Sequence, residues 1–341
     1  MTQEYLRKYS LVVGTGSGNT IDLSSLHFKF KVLRGDIQTP NTADIRVYNI
    51  SETTANLIGQ ALKKEYSPIT LQAGYEGIYG VIFQGTIKQL RLGRENATDT
   101  YLDITAADGD GAYNFGVVNA SLKAGATASQ KVQAIAGSLA PFGVTQGNVT
   151  GLNANPSPRG TVLFGMARDL LRKIADTSQT SWSIQNGQLN MVPLNNFLPG
   201  SPIVITSATG MIGLPEQTQD GIKVRTLLNP NIKIGGSIQI NNKSIQQYRF
   251  PIGLTTAANN ALLQQTIHLN ADGLYKVLWV DYDGDTRGQN WYNEITCIAI
   301  DAVLGQNQIK NPKYVPGGLA PAGPPAPVQP YGPSSKFPGV N

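Results

Sequence analysis

The sequence predicts a mainly β protein with two β-rich regions, one on each side of a small α/β insert, and an extended Pro-rich C-terminal tail. Three observations predict it. Over much of the first and last thirds, apolar residues recur at every second position, the period of a half-buried strand. Glycine and proline number 37 and 20 in 341 residues, enough for many turns. Charged residues are only 14%, against about 25% in an average globular chain, which disfavours coiled coils and long charged helices. The length allows two or three domains at roughly 150 residues each. The 40% hydrophobic content argues against global disorder, which couples weak hydrophobicity to strong net charge.

Residues 1–110 form the first β region. Phe28, Phe30 and Val32 alternate with Lys29 and Lys31, and Ile45 and Val47 with Asp44 and Arg46. Both read as strands with one face buried. A helix is predicted over 51–64. Ser51 is its N-cap, Glu52 stands in the first turn, Leu57, Ile58, Ala61 and Leu62 share one face, and Lys63 and Lys64 suit the C-terminal dipole. Further strands follow at Ile69–Ala73, Val81–Arg91 and Thr100–Ala106.

Residues 111–200 form the α/β insert. Val132, Ile135, Ala136 and Leu139 line a helix that stops before Pro141, and a second helix is predicted to carry Val162, Leu163, Met166, Leu170, Leu171 and Ile174. Asn186-Gly187 is a type I′ turn signal between two alternating strands that start at Trp182 and end at Met191. Residues 201–310 return to strands, at Ile222–Leu227, Ser237–Ile240, Tyr275–Val280 and Glu294–Ile300, with a helix expected around Thr255–Leu269. The two β regions show no convincing alignment with one another. The stretch 311–341, dense in proline and glycine, cannot make a packed core and is expected to be an extended tail.

Several function classes lack the residues they need. A net charge of +5, with no Lys/Arg run longer than two, does not make the concentrated patch of a dedicated nucleic-acid binder. The single Cys297 cannot form an intrachain disulfide. No apolar run fits a signal peptide or a membrane span, so a protein without membrane anchoring, assembled in the cytoplasm, is expected. His27 and His268 stand far from any nucleophile-elbow motif and read as structural or surface residues. With one cysteine and two distant histidines there is no zinc spacing, and no other metal, cofactor or catalytic residue is predicted. Gly14-Thr15-Gly16-Ser17-Gly18-Asn19 lacks the third glycine of a dinucleotide loop and is followed by strand residues, so it reads as a hairpin connection. Asp281–Asp285 fails as an EF-hand, with Thr286 and Tyr292 at the positions of the glycine and glutamate. Both it and Asp108–Gly111 read as turns. Trp182, Trp279 and Trp291 fall on strands and read as core.

Taken in order, several segments resemble the baseplate hub proteins of contractile-tailed bacteriophages. They are Phe28-Lys-Phe-Lys-Val-Leu, Pro40-Asn-Thr-Ala-Asp44-Ile-Arg-Val-Tyr-Asn49, Val81-Ile-Phe83-Gln-Gly85 and Ala107-Asp108-Gly109-Asp110. In the second half Met211-Ile-Gly213-Leu-Pro215, Arg225-Thr-Leu-Leu228-Asn229-Pro230 and Asp283-Gly284-Asp285-Thr286-Arg287-Gly288 follow, with Trp291 beyond. The resemblance implies two tail-tube-like β-barrels per chain, the first with an inserted helix, and no enzymatic activity. It implies a homotrimer that mimics six-fold symmetry toward the tail tube or a tube-initiator protein, and that offers three-fold symmetry to a central spike. Baseplate wedge proteins are further implied partners, with DNA a partner only in passage, and the virion tail baseplate is the implied location. It also points to Leu227, Leu228, Asn229 and Pro230, and to Asp283, Gly284, Asp285, Thr286, Arg287 and Trp291, as structural or interface residues. A lumen that passes DNA should carry no basic stripe, so the excess positive charge is expected to be dispersed outside it. Two alternatives are a glycan- or cell-surface-binding β module, which needs exposed aromatic platforms, and a cell-wall hydrolase.

Overall fold

The computed structural model describes residues 6–14, 20–62, 67–218, 221–241, 244–245 and 273–300. The expected helix around Thr255–Leu269, His268, the loop 15–19, Lys63 and Lys64, and the tail 311–341 lie outside them.

The chain is mainly β, with an α/β insert. Its first region runs β1 (Arg7–Gly14), β2 (Thr20–Asp22), β3 (Phe28–Gly35), β4 (Thr42–Tyr48), α1 (Glu52–Leu62), β5 (Pro68–Tyr75), β6 (Ile78–Arg94) and β7 (Thr100–Ala107). Strand β3 alternates as the sequence requires, with Phe28, Phe30 and Val32 buried and Lys29 and Lys31 exposed. Ser51 caps α1, its Oγ accepting the Thr54 amide at 3.1 Å. The apolar face of α1 differs from the expected one. Ala55 and Ile58 face the core, and Leu57 is 50% exposed, because a neighbour one position from Ile58 is turned about 100° around the helix.

The insert runs α2 (Asp110–Phe115), β8 (Val117–Leu122), α3 (Ala128–Leu139), β9 (Thr145–Val149), β10 (Thr161–Met166), α4 (Ala167–Ser178), β11 (Thr180–Gln185) and β12 (Gln188–Pro193). In α3, Val132, Ile135, Ala136 and Leu139 are all buried, and Thr127 and Gln130 form a capping box. The second predicted helix starts later than its apolar spacing suggests. Val162, Leu163 and Met166 belong to β10, which pairs with β8, and Met166 is extended, so α4 begins at Ala167. The hairpin β11–β12 turns at Asn186 (φ 53°) and Gly187 (φ 72°), the left-handed pair of a type I′ turn. Trp182 fills the core of the insert.

The last region runs β13 (Ile203–Ile205), β14 (Met211–Thr218), β15 (Gly221–Leu227), β16 (Ser237–Ile240), β17 (Leu274–Asp285) and β18 (Trp291–Ala299). Asp281–Asp285 is not a turn. It is the end of β17, hydrogen-bonded on both sides, and the bend follows at 286–289. Asp108 and Gly109 do form a bend, with Gly109 left-handed (φ 68°), but Asp110 already opens α2.

The two β regions share one sheet in the order β14-β15-β18-β17-β3-β4-β7-β6-β5-β1-β2, and a single core cluster runs through both. Pairing of β17 with β3, from Trp279 opposite Gly35 to Asp285 opposite Lys29, joins them.

Strand pairing also reveals a repeat. The pairs β3–β4, β4–β7, β5–β6 and β6–β7 recur in the same chain order as β14–β15, β15–β18, β16–β17 and β17–β18, all antiparallel. Even the β-bulge recurs: register skips Lys88 between β6 and β7, and Leu278 between β17 and β18. Aligning the bulges sets Thr100-Tyr-Leu-Asp-Ile-Thr-Ala106 against Trp291-Tyr-Asn-Glu-Ile-Thr-Cys297 without a gap. Arg46 then falls on Arg225, and each guanidinium lies over the matching ring, Arg46 over Tyr101 at 4.0 Å and Arg225 over Tyr292 at 3.6 Å.

Candidate functional site

Side chains directly opposed in a sheet share a face, so the register shows what the outward side of the shared sheet presents. One row reads Arg91, Asp103, Arg46, Lys29, Asp285 across β6, β7, β4, β3 and β17. Arg46 grips Asp103 with Nε at 2.7 Å and Nη2 at 3.0 Å, Arg91 reaches the same carboxylate at 3.0 Å, and Lys29 lies 3.7 Å from Asp285. The next row reads Thr105, Asp44, Lys31, Asp283, and a third Asp281, Glu294, Arg225. Lys223 stands one step further along β15. From β15 to β6 the face therefore carries six cations (Lys29, Lys31, Arg46, Arg91, Lys223, Arg225) and six acids (Asp44, Asp103, Asp281, Asp283, Asp285, Glu294). It spans both β regions without a break and is charge-balanced.

Burial alone would raise the Asp103 pKa, but Arg46 and Arg91 hold it below the ordinary carboxylate range. Asp285 behaves likewise: burial opposes ionisation, yet the amides of Arg287 and Gly288 and the His27 ring keep its pKa low. His27 Nε2 lies 2.7 Å from Asp285 Oδ1, and its ring stacks on Tyr48. His27 is thus held as a structural residue, just before β3. Asp281 is raised by burial against the hydrogen bond from Trp279.

The two segments singled out in the sequence come together at the joint between the β regions. Leu228 N–H donates to the Trp291 carbonyl at 3.3 Å, and Asn229 and Asn293 exchange hydrogen bonds at 3.1 and 3.2 Å. Leu227 ends β15, and Pro230 packs on Gly80 of the first region. Asp283, Gly284 and Asp285 pair with β3, where the Phe30 ring covers Gly284 so closely that a Cβ there would come within 2.2 Å of it. Thr286 Oγ1 accepts from the Phe28 amide, and Arg7 donates to the carbonyls of Asp285, Gly288 and Gln289 around the turn that Arg287 occupies. Trp291 is buried, with its Nε1–H donating to the Gly74 carbonyl at 3.2 Å. Trp182 is buried too and Trp279 half-buried, so the three tryptophans do not form the exposed platform that a glycan-binding module needs.

Sequence reasoning missed a buried polar junction that ties the insert to both β regions. Arg34 donates to Gln185 Oε1 at 3.2 and 3.0 Å and to the Ile82 carbonyl at 3.1 Å. Asn41 donates to the Ile184 carbonyl and to Gln185, and the Asp108 carboxylate accepts the Asn186 and Gly187 amides of the type I′ turn. Burial pushes the Asp108 pKa up to about 6 against those hydrogen bonds. From the last region Lys276 donates to the Pro193 carbonyl at 2.7 Å, with Asp36 4.0 Å away. Its pKa is lowered by burial. The signal for this junction was Arg34 itself, at an inward position of the Phe28, Phe30, Val32 series.

A cleft of about 560 Å³ lies between the first region and the insert. Its charged side chains have partners within the chain: Lys88 with Asp110 at 2.9 Å, Arg172 with Gln38 at 2.6 Å and Asp169 at 3.4 Å, and Arg168 with the Tyr113 carbonyl. No helix among the described residues is long and apolar enough to cross a membrane.

The chain's fold is similar to that of a 43 kDa tail protein of prophage MuSo2 from Shewanella oneidensis (TM-score 0.53, 8% identity, covering 86% of this chain and 98% of that one). It is also similar to a tail protein from Neisseria meningitidis MC58 (TM-score 0.53, 9% identity, covering 86% and 97%). No curated protein sequence matches. The family model for baseplate hub gp41 matches residues 12–245. That match covers well over half of the sequence, so the chain belongs to the baseplate hub gp41 family, structural components of the phage tail baseplate.

Proposed function

We propose that this chain is the hub subunit of a contractile-tail baseplate, and that three copies form a ring joining the tail tube to the central spike. The observation that carries this reading is the repeated five-strand pairing joined within one chain by β3 and β17. A chain built this way fills two neighbouring positions of a ring, so three chains fill six. Toward the tube such a ring is nearly six-fold; toward the spike it is truly three-fold. The first and last β regions, residues 1–110 and 201–310, supply the ring wall. The insert, residues 111–200, is held to that wall by the Arg34–Gln185–Asp108 junction and is available to baseplate wedge proteins.

In this reading the charged face of the shared sheet lines the channel. A strip of unpaired lysines would hold DNA tightly, since six to ten phosphate contacts are enough for strong, salt-dependent binding. Six cations set among six acids, several within salt-bridge distance, cancel that attraction over the length of a few strands. Leu227–Pro230 and Asp283–Trp291 act here as the internal joint that fixes the curvature of the ring wall.

The test is the solution mass of the full chain, alone and mixed with its spike protein. A complex containing three copies supports the proposal, and a hub chain that stays monomeric in both conditions refutes it.

A further inference from the structure

We propose that the free edge of β14 pairs antiparallel with the second half of β6 on the next copy of this chain. This rests on the ring reading above and names the strands that close it. Within one chain, β3 of the first strand set pairs with β17 of the second. In the repeat, β14 holds the place of β3 and β6 holds the place of β17. Both edges are open among the described residues. Strand β14 ends the sheet, and β6 pairs with β5 only up to Thr86, so from Ile87 to Arg94 it pairs with β7 alone. A repeated head-to-tail contact of this kind closes into a ring, and an unprotected strand edge otherwise invites aggregation.

The internal joint supplies the register. Matching the bulges puts Arg91 in the place of Asp281 and Gly93 in that of Asp283. Matching β4 to β15 puts Glu216 in the place of Lys31 and Thr218 in that of Leu33. Arg91 then stands opposite Thr218, and Gly93 opposite Glu216. Pro215 lacks an amide hydrogen, so the new ladder runs on the Glu216–Thr218 side.

Charge fits this register with inverted sign. At the internal joint, acids of β17 face Lys29 and Lys31. At the open edges Arg91 of β6 would stand diagonally across from Glu216 of β14, on the same face of the sheet. Leu92 on β6 and Leu214 on β14 are 60% and 54% exposed in the single chain, apolar side chains that a neighbouring copy would cover.

The test is a full-length Arg91→Cys/Thr218→Cys variant under mild oxidation. Opposed residues of an antiparallel pair lie within disulfide reach, and the native Cys297 is buried. Covalent dimers and trimers from this variant, and none from a Leu57→Cys/Thr218→Cys control, are expected. A second arm uses charge: Arg91→Glu or Glu216→Arg alone should weaken self-association about tenfold, and the double reversal should restore it. Particles of trimer mass that neither cross-link nor respond to the charge exchange overturn the β14–β6 pairing while leaving the ring intact. Equal cross-linking of the control also overturns it, and absence of any trimer both alone and with the spike protein overturns both this pairing and the ring.

Discussion

Replacing Trp291 with alanine tests whether the two β regions are one cooperative body. Trp291 is 2% exposed and lies at the joint, edge-on to Phe30 at 5.4 Å and Tyr9 at 5.9 Å, with Arg7 over its ring and its N–H on the Gly74 carbonyl. Truncating a buried tryptophan costs about 3–5 kcal/mol. The Gly74 carbonyl left without its donor adds about 1 kcal/mol, so a loss of about 4–6 kcal/mol is expected. Trp291→Phe keeps most of the ring contacts and should lose about 2 kcal/mol through the hydrogen bond and residual space. Urea unfolding followed by circular dichroism gives both values, and hydrogen exchange locates the change. Amides of β3 and β17 should lose protection together, although Trp291 belongs to neither strand. A Trp291→Ala loss below about 1 kcal/mol, or lost protection confined to the last region, would refute the shared-sheet reasoning.

Three further outcomes follow from individual contacts. Asp108 has a folded-state pKa of about 6 against an ordinary value of 3.8, so between those values the folded chain holds more protons than the unfolded one. Its contribution to stability therefore falls as pH rises from about 4 to 6, by up to roughly 3 kcal/mol, and this slope should be absent from Asp108→Asn when urea midpoints are compared across that range. Gly284→Ala forces a Cβ against the Phe30 ring and should cost about 1–3 kcal/mol by thermal unfolding; an unchanged melting temperature would mean that the ring does not cover Gly284. Leu57→Gln, on the exposed side of α1, should stay within about 0.5 kcal/mol of the parent protein in the same assay.

Much of the strand pattern was legible because inward and outward residues alternate cleanly, as in Phe28-Lys-Phe-Lys-Val, and because Asn186-Gly187 can scarcely be anything but a tight hairpin turn. Other features depend on partners far away in sequence. Asp281, Asp283 and Asp285 look like a turn until Lys29 and Lys31, about 250 residues earlier, are set beside them in the same face. Val162 and Leu163 fit a helical spacing, and only the pairing with β8 decides for a strand. The internal repeat is hidden in the sequence because its clearest trace, Tyr101-x-Asp103-Ile104-Thr105 against Tyr292-x-Glu294-Ile295-Thr296, is too short to stand out without the shared bulge that aligns it. Family resemblance alone points to Leu227–Pro230, Asp283–Arg287 and Trp291. Their common location at the joint could be read only from register.

The account's central claim is that one chain occupies two of six positions in a ring. End-on electron micrographs of the assembled full-length protein test it most directly. The account predicts a six-lobed ring whose averaged images obey three-fold symmetry around an open centre, and a ring with any other number of lobes, or no ring at all, would contradict it.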